Sequence, residues 1–94
     1  MTREIISAAL EAEGLKASGP GFTIPKDREA TVLISTPGDV LSVGKVVQAD
    51  LREKYLYLQT SKDERYYFSY EAVVGLKLLG KSSSAKERSA GFSR

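Results

Sequence analysis

The side chains best suited to contact a ligand are tyrosines in the middle of the chain and the basic residues beside them. Tyr55 and Tyr57 alternate with Leu56 and Leu58, so in a strand the two tyrosines lie on the face opposite the leucines. Tyr67 alternates in the same way with its aromatic neighbours. With the nearby basic side chains they form the predicted ligand-binding set: Arg52, Lys54, Tyr55, Tyr57, Lys62, Arg65 and Tyr67.

Outward tyrosines beside arginine and lysine have two interpretations. Aromatic rings stack on unpaired bases, each for roughly 1–3 kcal/mol, while arginine and lysine neutralise phosphates. Tyrosine is also common in strands and at protein interfaces, where it packs across strands or against a partner. We therefore expect either a protein or a nucleic acid as partner, and among specific ligands nucleic acid is narrowly favoured.

The composition argues against catalysis and against a metal site. The chain has no His and no Cys, which removes the usual general base, the cysteine nucleophile, disulfides and the commonest transition-metal ligands. Glu53 stands beside Lys54, and Glu64 beside Arg65, as is typical of solvated loop charges rather than of an acid–base pair. We predict a protein that is not an enzyme and that uses no cofactor and no metal.

The charge of the chain is nearly balanced, with 14 basic and 12 acidic residues and a formal net charge of +2. Much of the excess lies in residues 81–94, so the electrostatics of the whole domain do not by themselves predict nucleic-acid binding. No apolar run approaches the length of a membrane span, and the N-terminus lacks the pattern of a signal peptide. We expect a cytoplasmic protein without membrane contact.

Residues 30–80 are predicted to form one small, strongly bent β-barrel of five strands. Thr36-Pro37-Gly38-Asp39 has proline and glycine at the positions that a type II turn requires, and residues 61–64 predict a second turn. Gly44 lies inside a long strand and is expected to mark the bend where that strand serves both halves of the barrel. In the last strand we expect one apolar face, formed by Val74, Leu76 and Leu78.

Residues 1–15 are predicted to form an N-terminal helix. Thr2 is its expected N-cap, and Gly14 its expected stop in the left-handed conformation. A helix this short is not stable alone and must pack on something. We expect it to lie across one open end of the barrel; the alternative is a detachable helix that binds a partner.

Two further segments complete the chain. Residues 16–29 are predicted to form a linker, rich in turn residues, in which Phe22 and Ile24 are spaced so that both can reach the core. Residues 81–94 are predicted to form a disordered basic tail, because Ser, Ala, Lys, Arg and Gly dominate them. The tail has either no role or that of an arm for acidic partners such as RNA or DNA.

The order of these motifs resembles the Sm-like (LSm/Hfq-type) family of small β-barrels, which includes bacterial RNA chaperones. The resemblance rests on the helix, the turn at 36–39, Gly44 with Asp50 six residues on, and the break at Glu71-Ala72 before a final apolar strand. It implies an Sm-like or SH3-like barrel and ring-like self-association through the outer strands. Hfq-type proteins carry a Tyr-Lys-His run where this chain has Ser69-Tyr70-Glu71, so the family's RNA-binding residues do not transfer by position.

The sequence as a whole predicts a single-domain binding module that is not an enzyme and that forms homo-oligomers. RNA or another nucleic acid is the favoured ligand. The alternative is a protein-interaction adaptor or a structural assembly subunit that uses the tyrosines or the N-terminal helix as its docking surface.

Overall fold

The computed structural model describes residues 1–80; the disordered basic tail predicted at 81–94 lies outside the described residues. Helix α1 (Arg3–Ala12) precedes the strands. A 3-10 turn, Tyr70–Ala72, joins the last two strands. The strands are β1 (Ala17–Ser18), β2 (Gly21–Thr23), β3 (Arg28–Thr36), β4 (Asp39–Leu51), β5 (Leu56–Thr60), β6 (Arg65–Phe68) and β7 (Val73–Gly80).

The strands form one strongly curled antiparallel sheet, a half-barrel, which confirms the predicted mainly β fold with an N-terminal helix. The strand order is β1-β2-β4-β3-β7, and β5 pairs with both β4 and β6. Strands β2 and β5 pair with the same C-terminal part of β4, so they lie on its opposite edges. The five longer strands match the five predicted, and β1 and β2 are additional.

The segment 16–29, predicted as a linker, supplies the two additional strands. Phe22 and Ile24 are both buried in the core, as expected from their spacing. The Ile24 N–H donates to the Val47 carbonyl at 2.9 Å. The segment therefore supplies hydrogen bonds to backbone groups on one edge of β4 that would otherwise bind water. Strands of two and three residues are too short to show periodicity, which is why the sequence did not reveal them.

The bend of β4 lies where it was predicted, but the residue with the unusual backbone conformation is Lys45 and not Gly44. Between two successive pairs with β3, β4 contains one extra residue, which makes a β-bulge at Gly44-Lys45. Lys45, rather than Gly44, has the left-handed backbone, with φ of 55°. A Cβ placed on Gly44 would meet only the Thr31 Oγ1, at 3.8 Å. The bend therefore does not depend on the glycine.

Replacing Lys45 by glycine is expected to stabilise the protein. The left-handed conformation costs a non-glycine residue about 1–2 kcal/mol, and the greater unfolded-state freedom of glycine offsets part of that gain. We expect Lys45→Gly to raise the free energy of unfolding by about 0.5–1 kcal/mol in urea denaturation. Gly44→Ala is the control and is expected to be close to neutral, since its Cβ has room. A loss of stability in Lys45→Gly would contradict the bulge geometry.

The hydrophobic core lies between α1 and the sheet. Ile6 and Leu10 of the helix are buried in one cluster with Leu56 and Leu58 of β5, so α1 packs on the sheet. The Thr2 Oγ1 accepts a hydrogen bond from the Ile5 N–H at 3.2 Å, which confirms the predicted cap. Burial of these two helix side chains removes apolar surface from water and holds the helix in place.

The C-terminal end of α1 is anchored by a buried arginine from β3. Gly14 has φ of 87°, and the Leu15 N–H donates to the Leu10 carbonyl at 3.1 Å, which confirms the predicted stop. The Arg28 guanidinium, with 7% of its side chain exposed, donates to the Glu13 carbonyl and pairs with the Glu13 carboxylate. A cation at this end of a helix also complements the helix dipole.

The apolar face predicted for the last strand is wrong at one position. Leu76 and Leu78 pack against the core, but Val74 is 53% exposed and Val73 is buried instead. The register between β3 and β7 shifts at this point, which leaves Val74 as an extra residue of β7. Such a bulge inverts the alternation of faces, so a period of two carried through the strand misplaces Val74.

Candidate nucleic-acid interface

The three predicted tyrosines lie together: Tyr57 and Tyr67 on the outer face of β5 and β6, and Tyr55 just before β5. Leu56 and Leu58 point into the core with 1% and 0% of their surface exposed, so Tyr57 between them faces outward. Tyr57 and Tyr67 are cross-strand partners. The Tyr67 ring lies 5.2 Å from the Tyr57 ring and 5.6 Å from the Tyr55 ring, each at an angle of 56°. The alternation seen in the sequence thus gathers all three rings into one cluster.

Two arginines join the tyrosines around a shallow concavity of about 320 Å³. Arg52 comes from the loop between β4 and β5, and Arg65 is the first residue of β6. Tyr67 is the most open of the three rings, with 64% of its surface exposed. The set Arg52, Tyr55, Tyr57, Arg65 and Tyr67 is called the tyrosine face below.

Two residues of the predicted set lie away from the tyrosine face. Lys54 is exposed in the β4–β5 loop and does not line the concavity. Lys62 lies in the β5–β6 turn, beside a second cavity of about 300 Å³ that Lys45 and Glu64 also line. In that turn the Thr60 hydroxyl accepts hydrogen bonds from the Lys62 and Glu64 N–H groups, both at 3.3 Å. Lys62 thus lines the second cavity and not the concavity beside the tyrosines.

A chain of polar side chains crosses the outer face of the sheet and ends at the tyrosine face. The Thr23 hydroxyl donates to Gln48 Oε1 at 2.8 Å, and Gln48 Nε2 donates to Asp50 Oδ1 at 2.8 Å. The other Asp50 oxygen lies 3.7 Å from the Arg52 guanidinium. A Cβ on Gly21 would come within 2.5 Å of Asp50 Oδ1 and 2.6 Å of Gln48 Nε2. Glycine at position 21 thus leaves the space that these side chains occupy.

The sequence did not predict Asp50 as a member of this site; it entered only through its spacing from Gly44 in the resemblance to Sm-like barrels. Its cross-strand partner is Tyr57, and it lines the same concavity. The available signal was the spacing of two between Gln48 and Asp50, which places both on one face of β4. That this face lies beside the tyrosines depends on the pairing register of β4 with β5, which the spacing alone does not reveal.

The loop that carries Arg52 is held by the hydroxyl of Tyr70, which donates to the Arg52 carbonyl. The Arg52 N–H in turn donates to the Tyr55 carbonyl at 3.1 Å. Burial raises the pKa of the Tyr70 phenol above its usual value of about 10; Arg3 opposes this shift and Glu4 adds to it. The phenol therefore stays protonated, and able to donate, at neutral pH.

Tyr70→Phe is expected to lower the free energy of unfolding by about 0.5–1 kcal/mol at neutral pH, the net value of one hydrogen bond. Because the pKa of Tyr70 is higher in the folded state, this contribution is complete below about pH 10 and is lost as pH rises through the folded-state pKa. The difference between wild type and Tyr70→Phe should therefore shrink above about pH 10 in urea denaturation series. A difference that grows with pH would contradict the assignment.

The tyrosine face can stack planar groups and bind anions, because it joins aromatic rings with guanidinium groups. Within residues 1–80, no three Asp or Glu side chains lie close enough together to hold a metal ion. In the same described part of the chain, no helix is both long and apolar enough to cross a bilayer. No family model, curated protein or solved structure matches this chain.

Proposed function

We propose that this protein is a non-enzymatic binding module whose tyrosine face binds single-stranded nucleic acid, with RNA favoured. The observation that supports the proposal is the cluster of three tyrosine rings, with Tyr67 64% exposed, between Arg52 and Arg65. The Sm-like pattern of the sequence is consistent with a binding barrel, but the family's RNA-binding residues do not transfer to this chain, so the tyrosine face carries the proposal.

The chemistry of the tyrosine face fits unpaired bases better than a duplex. The rings lie at 56° to one another, so they offer differently oriented surfaces to a chain whose bases are free to rotate. Bases in a duplex already stack on one another and present phosphates outward, which would leave the tyrosines without partners. Stacking contributes roughly 1–3 kcal/mol per base and tolerates every base, because each has a π-face.

Charge supports binding only locally. Residues 1–80 contain ten basic and eleven acidic residues, so attraction to phosphate comes from Arg52 and Arg65 rather than from the whole domain. Within the described residues, Arg65 has no carboxylate within 4.0 Å, and Arg52 has only the 3.7 Å contact with Asp50. With about two phosphate contacts per copy, the binding constant should fall with salt by a log–log slope of about −1 to −2.

The experiment that tests the proposal is a salt titration of binding to single-stranded RNA of about a dozen nucleotides, followed by fluorescence anisotropy. The same strand annealed to its complement is the control. We expect binding at low salt, a shallow salt slope, and weaker binding of the duplex. No binding at low salt would overturn the proposal, since phosphate contacts are strongest there.

Self-association through open strand edges is part of the proposed function. Among the described strands, β6 pairs only with β5, and β7 pairs only with β3, which leaves one edge of each without a partner. Such edges accept strands from other chains, and β7 adds the exposed Val74 and Leu79. A ring or dimer would repeat the tyrosine face and raise avidity for a polymer.

Light scattering at two concentrations about a hundredfold apart tests self-association, because assembly follows mass action. We expect the mass to rise to a multiple of the 10.2 kDa of one chain. A mass that stays at that of one chain at both concentrations would exclude the assembly, while leaving RNA binding by the single tyrosine face intact.

A second candidate function, a protein-interaction adaptor, is supported by exposed apolar side chains outside the tyrosine face. Ile5 of α1 is 53% exposed, and Val40 and Leu41 are 51% and 44% exposed at the end of the β3–β4 hairpin. Salt separates the two candidates. Apolar docking holds or strengthens as salt rises, whereas phosphate contacts weaken.

A further inference from the structure

We infer that Asp50 and Arg52 form a base-reading pair that favours guanine over the other bases; the inference rests on the proposed function and names the preference of that same site. Stacking on tyrosine is tolerant of sequence, so any preference must come from polar groups that reach the edge of a stacked base. Asp50 and Arg52 are such groups, since both line the concavity beside the three rings.

Asp50 is placed as a fixed hydrogen-bond acceptor. Its side chain is only 20% exposed, and Gln48 Nε2 donates to its Oδ1 at 2.8 Å. Gln48 is held in turn by the Thr23 hydroxyl. An ionised carboxylate has about four acceptor positions. The single hydrogen bond from Gln48 therefore leaves acceptor positions on both oxygens for a ligand.

Arg52 supplies the complementary donor, and because a guanidinium has five N–H groups it can contact a phosphate and a base edge together. Its guanidinium is 3.7 Å from Asp50 Oδ2, a loose contact between groups that are 51% and 20% exposed. At that distance the pair gains little from its own attraction, so either group is available to a ligand. Asp50 Oδ1, Asp50 Oδ2 and the Arg52 guanidinium thus present two acceptors followed by a donor along one edge of the concavity.

Guanine matches this order of groups. Its Watson–Crick edge carries the N2 amino group and the N1–H, both donors, followed by the O6 acceptor. Cytosine and adenine offer one amino donor beside acceptors, and uracil offers a single N3–H between two carbonyl oxygens. A carboxylate that accepts from two adjacent donors pairs fully with guanine alone, and such a fit discriminates by about tenfold or more.

The test compares single-stranded RNA made of uridine with the same strand carrying one central guanosine, and with one carrying inosine in that place. Inosine lacks the N2 amino group but keeps N1–H and O6. For the wild-type protein we expect the guanosine strand to bind about tenfold more tightly than the uridine strand, with inosine between them. Equal affinities for the three strands would overturn the inference and leave the proposed function standing.

Two variants locate the preference in this pair. Asp50→Asn should bring the ratio of guanosine to uridine affinity close to one, whatever its effect on the uridine affinity itself. Gly21→Ala should lower the same ratio, because its Cβ displaces the flexible ends of Asp50 and Gln48 while the tyrosine rings stay in place. Asp27→Asn is the matched control; it removes one negative charge from residue 27, outside the concavity, and should keep the wild-type ratio.

A guanosine preference that persists in Asp50→Asn would overturn the inference. If Asp50→Asn fails to fold, a preference that persists at the wild-type ratio in Gly21→Ala would overturn it instead. If the wild type binds none of the three strands at low salt, the proposed function itself fails, and the preference falls with it.

Discussion

Replacing Arg52 and Arg65 together by glutamate is expected to weaken the binding of single-stranded RNA by about 100-fold at low salt. The two arginines line the concavity of the tyrosine face, and within residues 1–80 they are the basic side chains that do so. The double change alters the local charge by four units beside the phosphates. Exposed charge pairs contribute about 0.2–1 kcal/mol each, so four units of charge total roughly 1–4 kcal/mol.

The matched control is the double variant Lys26→Glu with Lys77→Glu, which changes the net charge by the same amount. Neither lysine lines the concavity. If attraction to RNA were a property of the net charge, both double variants would lose affinity equally. Because the tyrosine face supplies the contacts in our proposal, the control should lose far less affinity than the arginine variant. At about 0.1 M salt, where exposed charges more than about 10 Å apart are largely screened, it should lose less than about threefold. Anisotropy titrations on one labelled strand measure both.

An unchanged RNA affinity in the double arginine variant would contradict the tyrosine face as the binding surface. That result would move the RNA contact to another part of the chain and leave the tyrosine face without an assigned ligand. Replacing the tyrosines themselves separates the two functions less well, since tyrosine contributes to protein interfaces as well as to base stacking.

Glu13→Gln is expected to destabilise the protein by about 2 kcal/mol, because it leaves the buried Arg28 guanidinium without its counter-charge. Arg28 is 7% exposed, whereas the Glu13 side chain is 43% exposed, so the loss falls below that of a fully buried pair. The Arg28 Nε is buried without a hydrogen-bond partner, which makes the arginine more dependent on the contacts it does have. Urea denaturation measures the change.

A double-mutant cycle isolates the ion pair from other effects of the substitution. In an Arg28→Met background the cost of Glu13→Gln should fall below about 0.5 kcal/mol, since no buried charge remains to be compensated. Glu11→Gln, on the same helix, is the matched surface control and should stay within about 0.5 kcal/mol of wild type. Equal effects of Glu13→Gln and Glu11→Gln would show that the pair does not hold α1, and would revive the alternative of a detachable helix.

The parts of the fold that follow from local pattern were predictable. Alternation separated Leu56 and Leu58 from the tyrosines, and it worked because β5 has no bulge between residues 56 and 59 in its pairing with β6. The Pro37-Gly38 turn was also predictable, because Gly38 needs the positive φ of 82° that the structure has. These features depend on neighbours in sequence, so the sequence alone determines them.

The parts that depend on register were not predictable. A bulge inverts the alternation of faces without any marker residue, and this is why Val74 was placed on the wrong face. The left-handed residue of the bend is Lys45, a residue type that carries no signal for that conformation. Asp50 became part of the candidate site only through its pairing with Tyr57 across two strands.

The most direct measurement of the central proposal is an NMR titration of the isotopically labelled full chain with single-stranded RNA at low salt. We predict that the largest chemical-shift changes fall on the ring signals of Tyr55, Tyr57 and Tyr67 and on the Arg52 and Arg65 side chains. Changes confined to α1 or to the β3–β4 hairpin, or no changes at all, would contradict the tyrosine face as the nucleic-acid interface.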